Sequence, residues 1–537
     1  MRLADKANEM AKVSARGGFH LFWGIVLSTI FSAIGVIILA RIMRPEDYGL
    51  YTIALAAPNL IGTFRDWGMN SAMVKYTAQY SAEEKLDRVR SILLAGLVFE
   101  VVLGFALTIV SFGLSGFIAS DIFKRPITGL IEISSLAILA GAFLTAAQAA
   151  FTGREQMKPN SVTLALGALL RAILSPVLVY VGFGVSGAVI GYSAGVLGGG
   201  LIGVVLMLAI YENLRQKHHS ADLKVWETMK FMFRYGLPLS FSSLFNSFLV
   251  QFYTFIIAIY ASNFLIGNYA VANNFTVLLT FFATPITTML FPAFSKLDAH
   301  RDKETLQIIF KSSIRYSSLL VIPPTVALIA LAGPFVSALF GAKYASAPLF
   351  LALISVNYLL TAFGQLSTVN LISGQGQTRF YLELAIINTI TGVSLVALLV
   401  PPFGVIGLII TTIFDGVPGL AISLIWIKRR YDASVGWVSS TKIIVSSAIG
   451  GAAAFLSVSF LTFGPGTKLI LGLVIFLAGL ILGLRITRAL GKTDFDNLRL
   501  MTSELGPLSG SINKTLNWLE TLVNASGLHQ SNPSNSS

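Results

Sequence analysis

The chain has 537 residues, of which 55% are hydrophobic and only 12% are charged. Soluble domains carry roughly 25% charged residues, so there is too little charge here to cover a soluble protein of this length. Cysteine is absent and the five histidines are scattered, which excludes a disulfide framework, thiol chemistry and a metal site, and no cofactor is expected. The composition predicts an all-α polytopic membrane protein.

Apolar runs near the length needed to cross about 30 Å of hydrocarbon recur along most of the chain, and we predict fourteen transmembrane helices from them. The predicted spans are 19–40, 48–66, 91–118, 130–151, 161–182, 186–210, 236–260, 266–291, 313–332, 350–372, 381–400, 404–427, 443–461 and 468–486. No small-residue cleavage site follows the first run, so it is interpreted as a retained helix rather than a signal peptide.

Lys and Arg are distributed unevenly between the predicted loops. With the N-terminus placed in the cytoplasm, 30 of the 38 Lys and Arg residues lie in cytoplasmic segments, six lie in outer segments, and Arg65 and Arg171 lie within spans. This asymmetry follows the positive-inside rule and predicts a multi-pass protein of the cytoplasmic membrane with both termini in the cytoplasm. It also accounts for the net charge of +13 without nucleic acid.

Three pairs of similar segments indicate an internal duplication at offsets of 218 to 221 residues. The pairs are FTGREQMKPN (151–160) with ISGQGQTRFY (372–381), FGVSGAVIG (183–191) with FGVIGLIIT (403–411), and GLY (49–51) with GNY (267–269). They predict two parallel six-helix repeats, an N-lobe at 19–210 and a C-lobe at 236–427. Such repeats enclose a substrate between them and alternate access by rocking one bundle against the other.

The remaining predicted segments lie outside the two repeats. They are a cytoplasmic N-terminus (1–18), a cytoplasmic linker between the lobes (211–235), an accessory pair of helices (443–486) and a cytoplasmic tail (487–537).

Charged residues inside spans need an explanation, because an ionised side chain at mid-bilayer costs at least ~2.5–3.5 kcal/mol on insertion scales. Arg171 lies near the middle of the fifth predicted span, too deep to reach either surface, so we expect it to face the space between the halves. Arg65 closes the second span, and Arg41 and Lys75 lie near it. The four would form one cationic cavity suited to a phosphate or pyrophosphate, with interface anchoring as the alternative for all but Arg171.

Other polar residues lie inside or at the ends of spans. Interhelical hydrogen bonding is the general explanation, and contact with sugar hydroxyls in a cavity is the functional one. The candidates for such a lining are Asn246, Gln251, Asn273, Asn274, Gln365 and Asn388. The candidates for ion coupling are Asp66, Glu100 and Asp415.

The segment ILARIMRPEDYGLYTIALAAPNLIGTFRDWGMNSAMVKYTAQY resembles the opening of the polysaccharide-transporter family. In that family an arginine ends the first span, an acidic Tyr-Gly turn follows, and the second span closes on Asp-x-Gly. The matching residues are Arg41, Pro45, Glu46, Tyr48, Gly49, Asp66 and Gly68. FTGREQMKP and GFGVSGAVIG also resemble the family, which comprises the O-antigen-type flippases of the MATE-like superfamily, and the likeness covers about residues 15–430.

The resemblance implies a two-lobed, V-shaped transporter rather than an enzyme. Its implied substrate is a polyprenyl- or dolichyl-(pyro)phosphate oligosaccharide, which is moved to the outer leaflet for surface polysaccharide or glycoprotein biosynthesis. The implied partners are this lipid-linked oligosaccharide, membrane lipids, H⁺ or Na⁺ as a coupling ion, and glycan polymerase or transferase machinery.

Three alternatives remain open from the sequence. A flippase for the peptidoglycan precursor would differ only in head group. A small-solute or drug antiporter would share the fold, although spans 19–40 and 236–260 lack the coupling carboxylates that multidrug exporters often carry there. A membrane glycosyltransferase would need a catalytic carboxylate or metal site in a large outer loop, and the longest outer loop, 333–349, contains no acid and no histidine.

Overall fold

The computed structural model describes residues 3–217, 224–280, 283, 290, 294–297, 301–503 and 508–524. Over these residues the chain is helical and contains no strand, which confirms the all-α prediction. The predicted linker 211–235, the span 266–291 and the tail 487–537 lie partly outside the described residues, and so does the start of the segment 1–18.

The bounds of the described helices are as follows. In chain order, α1 to α19 are Leu3–Ile42, Pro45–Gly62, Met69–Ala82, Leu86–Phe117, Thr128–Gly153, Met157–Leu178, Gly184–Lys217, Val225–Tyr260, Asn263–Asn274, Lys303–Ala330, Ala332–Phe340, Ala347–Val356, Gln365–Gly374, Thr378–Phe414, Val417–Tyr431, Trp437–Phe460, Pro465–Thr487, Lys492–Ser503 and Leu508–Asn524. Short π-helical turns at Ile118–Ile122 and Val179–Phe183 extend α4 and α6, and a 3₁₀ turn, Asn357–Phe363, follows α12.

Eight helices within the described residues are long and apolar enough to cross a membrane, judged by length and composition. They are His20–Ile42, Leu86–Ile122, Thr128–Gly153, Met157–Leu214, Lys303–Ala330, Thr378–Tyr431, Trp437–Phe460 and Pro465–Thr487. A ninth candidate is the pair Ala347–Phe363 and Gln365–Gly374, which bends by 53°. The number fourteen therefore stays a prediction.

Two of these candidates are far longer than the ~20 residues that one crossing requires. Met157–Leu214 has 58 residues and Thr378–Tyr431 has 54. Each contains a glycine with nearly the same backbone angles, Gly184 (φ 53°, ψ −135°) and Gly404 (φ 54°, ψ −125°). This region is accessible almost only to glycine, and it breaks the helix at two positions that the predicted duplication makes equivalent.

After the break at Gly184, α7 runs back along α6 with a glycine at every fourth position. A Cβ built on Gly191 would lie 2.4 Å from Ser175 Cα, one on Gly195 would lie 2.7 Å from Arg171 N, and one on Gly199 would lie 2.9 Å from Gly167 Cα. The residue number of the contacted residue in α6 decreases as that of the glycine in α7 increases, so α6 and α7 are antiparallel. Small residues at four-residue spacing allow this backbone approach, as is common between membrane helices.

The chain folds into two compact units. The first comprises Met1–Asn274 and Ala385–Thr411, and the second comprises Phe275–Leu384 and Thr412–Ser537. The first unit thus includes α8 and α9, whereas the predicted lobes are separated at 211–235. The predicted lobe boundaries stay a prediction.

Within the first unit, α2 and α9 cross at a reciprocal glycine contact. A Cβ built on Gly49 would lie 1.9 Å from the carbonyl oxygen of Asn263, and one on Gly267 would lie 2.0 Å from that of Pro45. Gly49 and Gly267 are 218 residues apart, and so are Pro45 and Asn263. The contact therefore has the local geometry that a two-fold axis between duplicated helices would produce.

In the second unit, the C-terminal helices α18 and α19 pack onto the bundle. The Asp494 carboxylate accepts a hydrogen bond from Arg315 Nη2 at 2.6 Å. Phe495 and Val523 are buried against residues of α10, α16 and α17 in one apolar cluster. The described part of the predicted tail is thus folded onto this unit.

The close approach of α7 to α6 predicts that Gly191→Ala destabilises the protein. A methyl group there would collide with the backbone of Ser175, and overpacking of this kind costs about 1–3 kcal/mol, more than alanine gains over glycine in a helix. Thermal unfolding of the purified protein should show a lowered midpoint. Gly113→Ala is the matched control, because nothing lies within 4 Å of its Cβ position on α4. Equal midpoints for the two variants would contradict the packing.

Candidate functional site

The first unit contains a cavity of about 360 Å³. This volume lies within the range of roughly 300–1,000 Å³ of small-molecule sites. Its walls come from α1, α2, α6, α7, α8 and α9, and most of its described lining residues carry a polar group. The polar lining residues are Ser32, Tyr48, Tyr51, Thr52, Asn59, Arg171, Ser175, Tyr192, Gln251, Thr254, Tyr269, Asn273 and Asn274.

Helical spacing brings these side chains to one side of each helix. On α2 the lining positions Tyr48, Thr52, Leu55 and Asn59 follow one another at intervals of three or four residues. Residues so spaced lie on one helix face. The YGLY segment that precedes the apolar run of α2 thus places two tyrosines at the cavity.

Arg171 carries the only formal charge among the described lining residues. Its guanidinium carbon lies 5.9 Å from the centre of the Tyr192 ring, which is within cation–π range. Among the described residues, no acidic side chain forms an ion pair with Arg171 and no group accepts a hydrogen bond from it. Its five N–H donors are therefore available to an anionic group in the cavity.

The position of Arg171 depends on Gly195 of α7. A Cβ built on Gly195 would lie 2.3 Å from Arg171 Cγ, so any larger residue would displace the arginine side chain. The absence of a side chain at residue 195 leaves room for the arginine stem between the two helices.

Four tyrosines surround the space beside Arg171. The rings of Tyr48 and Tyr51 are 5.8 Å apart, and those of Tyr51 and Tyr192 are 6.4 Å apart in an edge-to-face arrangement. The Tyr48 hydroxyl accepts a hydrogen bond from Asn274 Nδ2 at 3.2 Å. Tyr269, the fourth, stands 218 residues after Tyr51, so equivalent positions of the predicted repeats line the same cavity.

Four of the residues predicted from the sequence meet in this cavity. They are Arg171, Gln251, Asn273 and Asn274. Their contact with a substrate stays a prediction.

Arg65, in contrast, lies in a buried ion pair. Its Nε donates to Glu100 Oε2 at 3.0 Å, its Nη1 donates to the carbonyl of Ile138 at 3.2 Å, and its Nη2 donates to Thr145 Oγ1 at 3.1 Å. Asn70 Nδ2 donates to Glu100 Oε1 at 2.8 Å. The Glu100 side chain is fully buried. Both charges are thus matched within the protein, and Arg65 is not among the described residues that line the cavity.

Asp66 and Lys75 have partners outside the described cavity lining. Asp66 Oδ1 accepts a hydrogen bond from the backbone N–H of Asn70 at 3.2 Å, at the start of α3. The Lys75 ammonium lies 3.7 Å from the centre of the Tyr235 ring. Neither residue is among the described residues of the cavity lining.

The remaining predicted residues are also separate from the described cavity lining. Arg41 is exposed in the last turn of α1, and Asn246 is exposed on α8. Asn388 lies in the first unit on α14, with its side-chain oxygen buried and without a hydrogen-bond partner. Gln365 and Asp415 belong to the second unit. Their roles as lining or ion-coupling residues stay predictions.

In the part of the chain that the structure describes, no group of three or more His, Asp or Glu side chains could hold a metal ion.

The four cavity tyrosines were not predicted as site residues from the sequence. Aromatic residues are abundant and lipid contact explains most of them, so composition gave no reason to select these. The available signal was positional, since Tyr48 and Tyr51 share a helix face and Tyr51 and Tyr269 are equivalent in the GLY and GNY segments.

The buried ion pair predicts that Arg65→Met destabilises the protein. Removing one partner leaves the Glu100 carboxylate buried and uncompensated, which costs about 3–5 kcal/mol. The double variant Arg65→Met/Glu100→Leu should recover most of the loss, because it removes both charges. Unfolding midpoints of the wild type, the two single variants and the double variant measure the coupling.

The control for Arg65 is Lys85→Met, which removes a cation from an exposed pair with Glu83 and should leave the midpoint nearly unchanged. If Arg65→Met unfolds like the wild type, the ion pair does not stabilise the fold and Arg65 becomes available for a role in binding.

Comparison with known proteins places the chain in a family. Residues 38–349 match the family model described as polysaccharide biosynthesis protein. An uncharacterised membrane protein of Methanocaldococcus jannaschii is 25% identical over 390 residues, which are 68% of this chain and 75% of the relative.

Two further relatives have descriptions that name transport. Agl15 of Haloferax volcanii, a probable low-salt glycan biosynthesis flippase, is 21% identical over 38% of this chain and 44% of its own length. ExoT of Rhizobium meliloti, a succinoglycan biosynthesis transport protein, is 22% identical over 60% of this chain and 61% of its own length. The chain thus spans less than two thirds of either protein.

Solved structures show the fold. The lipid II flippase MurJ matches with a TM-score of 0.67 at 16% identity, over 88% of this chain and 98% of that one. A multidrug resistance MATE transporter of the MOP superfamily matches with a TM-score of 0.61 at 18% identity, over 77% and 98%. The family model covers more than half of the chain and eight described helices could each cross a membrane, so the chain is a multi-pass membrane protein that belongs to the polysaccharide biosynthesis protein family.

Proposed function

We propose that this protein is a transporter that flips a lipid-linked glycan across the membrane, with Arg171 binding the phosphate of the substrate. The observation that carries the proposal is the guanidinium of Arg171, which has no ion-pair partner among the described residues and lines a cavity together with neutral polar side chains. A membrane-embedded cation without a counter-ion is costly, so its retention is best explained by an anionic ligand.

Phosphate is the anion that suits this geometry. A guanidinium presents a planar fork of donors that binds two phosphate oxygens at once. The relatives described as a glycan biosynthesis flippase and a succinoglycan transport protein support a substrate that is a lipid-linked glycan. A drug cation would be repelled by Arg171, which argues against cation export.

The rest of the cavity lining suits a sugar. Asn59, Gln251 and Asn273 offer amide donors and acceptors, and the tyrosine and hydroxyl side chains add further groups that can exchange hydrogen bonds with sugar hydroxyls. The rings of Tyr51 and Tyr192 add flat apolar surfaces beside these groups.

The membrane arrangement that supports this function has fourteen spans in two parallel six-helix repeats and an accessory helix pair, with both termini in the cytoplasm. The matched glycine breaks at Gly184 and Gly404 support two crossings in each of the longest helical segments. The reciprocal contact of Gly49 and Gly267 supports the duplication. The distribution of Lys and Arg supports the orientation.

Ion coupling by H⁺ or Na⁺ and cooperation with glycan polymerase or transferase machinery complete the proposal. Of the three acidic candidates, Glu100 accepts hydrogen bonds from Arg65 and Asn70, Asp66 accepts one from the backbone N–H of Asn70, and Asp415 lies in the second unit.

The test of the proposed function is complementation of a strain that lacks its own oligosaccharide flippase. The wild type should restore surface glycan, and Arg171→Ala should lower the restored amount at least tenfold, because charge-assisted hydrogen bonds contribute about 1.5–3 kcal/mol. Arg171→Lys should restore an intermediate amount, since a point charge replaces the bidentate fork.

Lys85→Ala is the matched control for loss of one exposed positive charge and should behave as the wild type. Membrane expression is compared by immunoblot for every variant. Equal restoration by the wild type and by Arg171→Ala at equal expression would contradict the role of Arg171.

A further inference from the structure

The cavity in the first unit contains one positive charge and no negative charge among its described lining residues. We infer that the substrate has a single phosphate between lipid and glycan, a phosphodiester, rather than a diphosphate. This inference rests on the proposed function and specifies the substrate class of the same site.

Three other cations of the N-terminal half have contacts of their own and are not among the described residues of the cavity lining. Arg65 is paired with Glu100 at 3.0 Å. The ammonium of Lys75 lies over the ring of Tyr235. Arg125 donates from both terminal nitrogens to the carbonyls of Ala258 and Ala261 at the end of α8. The charge that the described lining offers to a ligand is therefore that of Arg171.

Charge matching favours the phosphodiester. A glycan joined to a lipid through one phosphate has one negative charge at neutral pH and two non-bridging oxygens, which match the paired donors of one guanidinium. A diphosphate linkage has two negative charges. The second charge would leave water, and the described lining offers no second cation to compensate its desolvation. An uncompensated charge in a site of low dielectric is strongly unfavourable.

The size and chemistry of the cavity agree with a small head group. About 360 Å³ is near the lower end of ligand-site volumes, and the remaining polar groups of the lining are neutral. Amide and hydroxyl groups bind sugar hydroxyls well, whereas they replace a second cation poorly because they carry no net charge.

The test compares two synthetic lipids that share a polyprenyl chain and one hexose and differ only in a phosphate or a diphosphate linkage. Both compete for binding to the purified full-length protein in lipid nanodiscs, in the presence of a metal chelator. The phosphate lipid should bind at least tenfold more tightly to the wild type. Arg171→Ala should weaken its binding at least tenfold and remove most of the preference.

A second cation in the cavity should reverse the preference. Gln251→Arg, or Asn273→Arg if the first variant fails to fold, adds a guanidinium to the lining, and either should shift the ratio of the two affinities at least tenfold toward the diphosphate lipid. Gln79→Arg is the matched control, because Gln79 is exposed on α3 and is not among the described residues of the lining.

The outcomes separate this inference from the proposed function. If the wild type binds the diphosphate lipid as tightly as the phosphate lipid or more tightly, with dependence on Arg171, the single-phosphate inference is wrong and the flippase proposal stands. If neither lipid binds, or if binding is independent of Arg171, both are wrong.

Discussion

The close approach of α7 to α6 is the contact on which the cavity depends. With glycine at residues 191, 195 and 199, the two backbones come near enough for the stem of Arg171 to lie directly against α7. The same approach places Tyr192, the residue after Gly191, at the cavity wall beside the guanidinium. Larger residues on this face of α7 would separate the two helices. They would also move Arg171, the one charge of the described lining, away from the ring of Tyr192.

Arg65 and Arg171 both lie within predicted membrane spans, where a charged side chain is costly. Their environments are opposite. Arg65 has a carboxylate, a carbonyl and a hydroxyl as partners, so its charge is neutralised and its donors are used. Arg171 has an aromatic ring and open space. The first arrangement fixes the helices around it in one geometry. The second leaves a positive charge with no ion-pair partner among the described residues.

The sequence predicted the helical membrane class because composition and hydropathy depend on no long-range contact. It also identified Arg171 as a charge in the middle of an apolar run, which is visible without a structure. It did not predict the pairing of Arg65 with Glu100, because the partners lie on different helices and are 35 residues apart. Tyr51 and Tyr269 were missed because many aromatic residues of such a chain face lipid, and helix rotation decides which do not.

The hairpin of α6 and α7 also bears on how the chain enters a bilayer during synthesis. A helix with an arginine near its centre inserts unfavourably by itself. The turn that follows α6 is short, and residues 184–211 of α7 carry no charged side chain. Helices so joined can enter together, so that the apolar α7 offsets the charge on α6 and shields the arginine stem from lipid. Gly191, Gly195 and Gly199 would then contribute to membrane insertion as well as to the packing of the cavity wall.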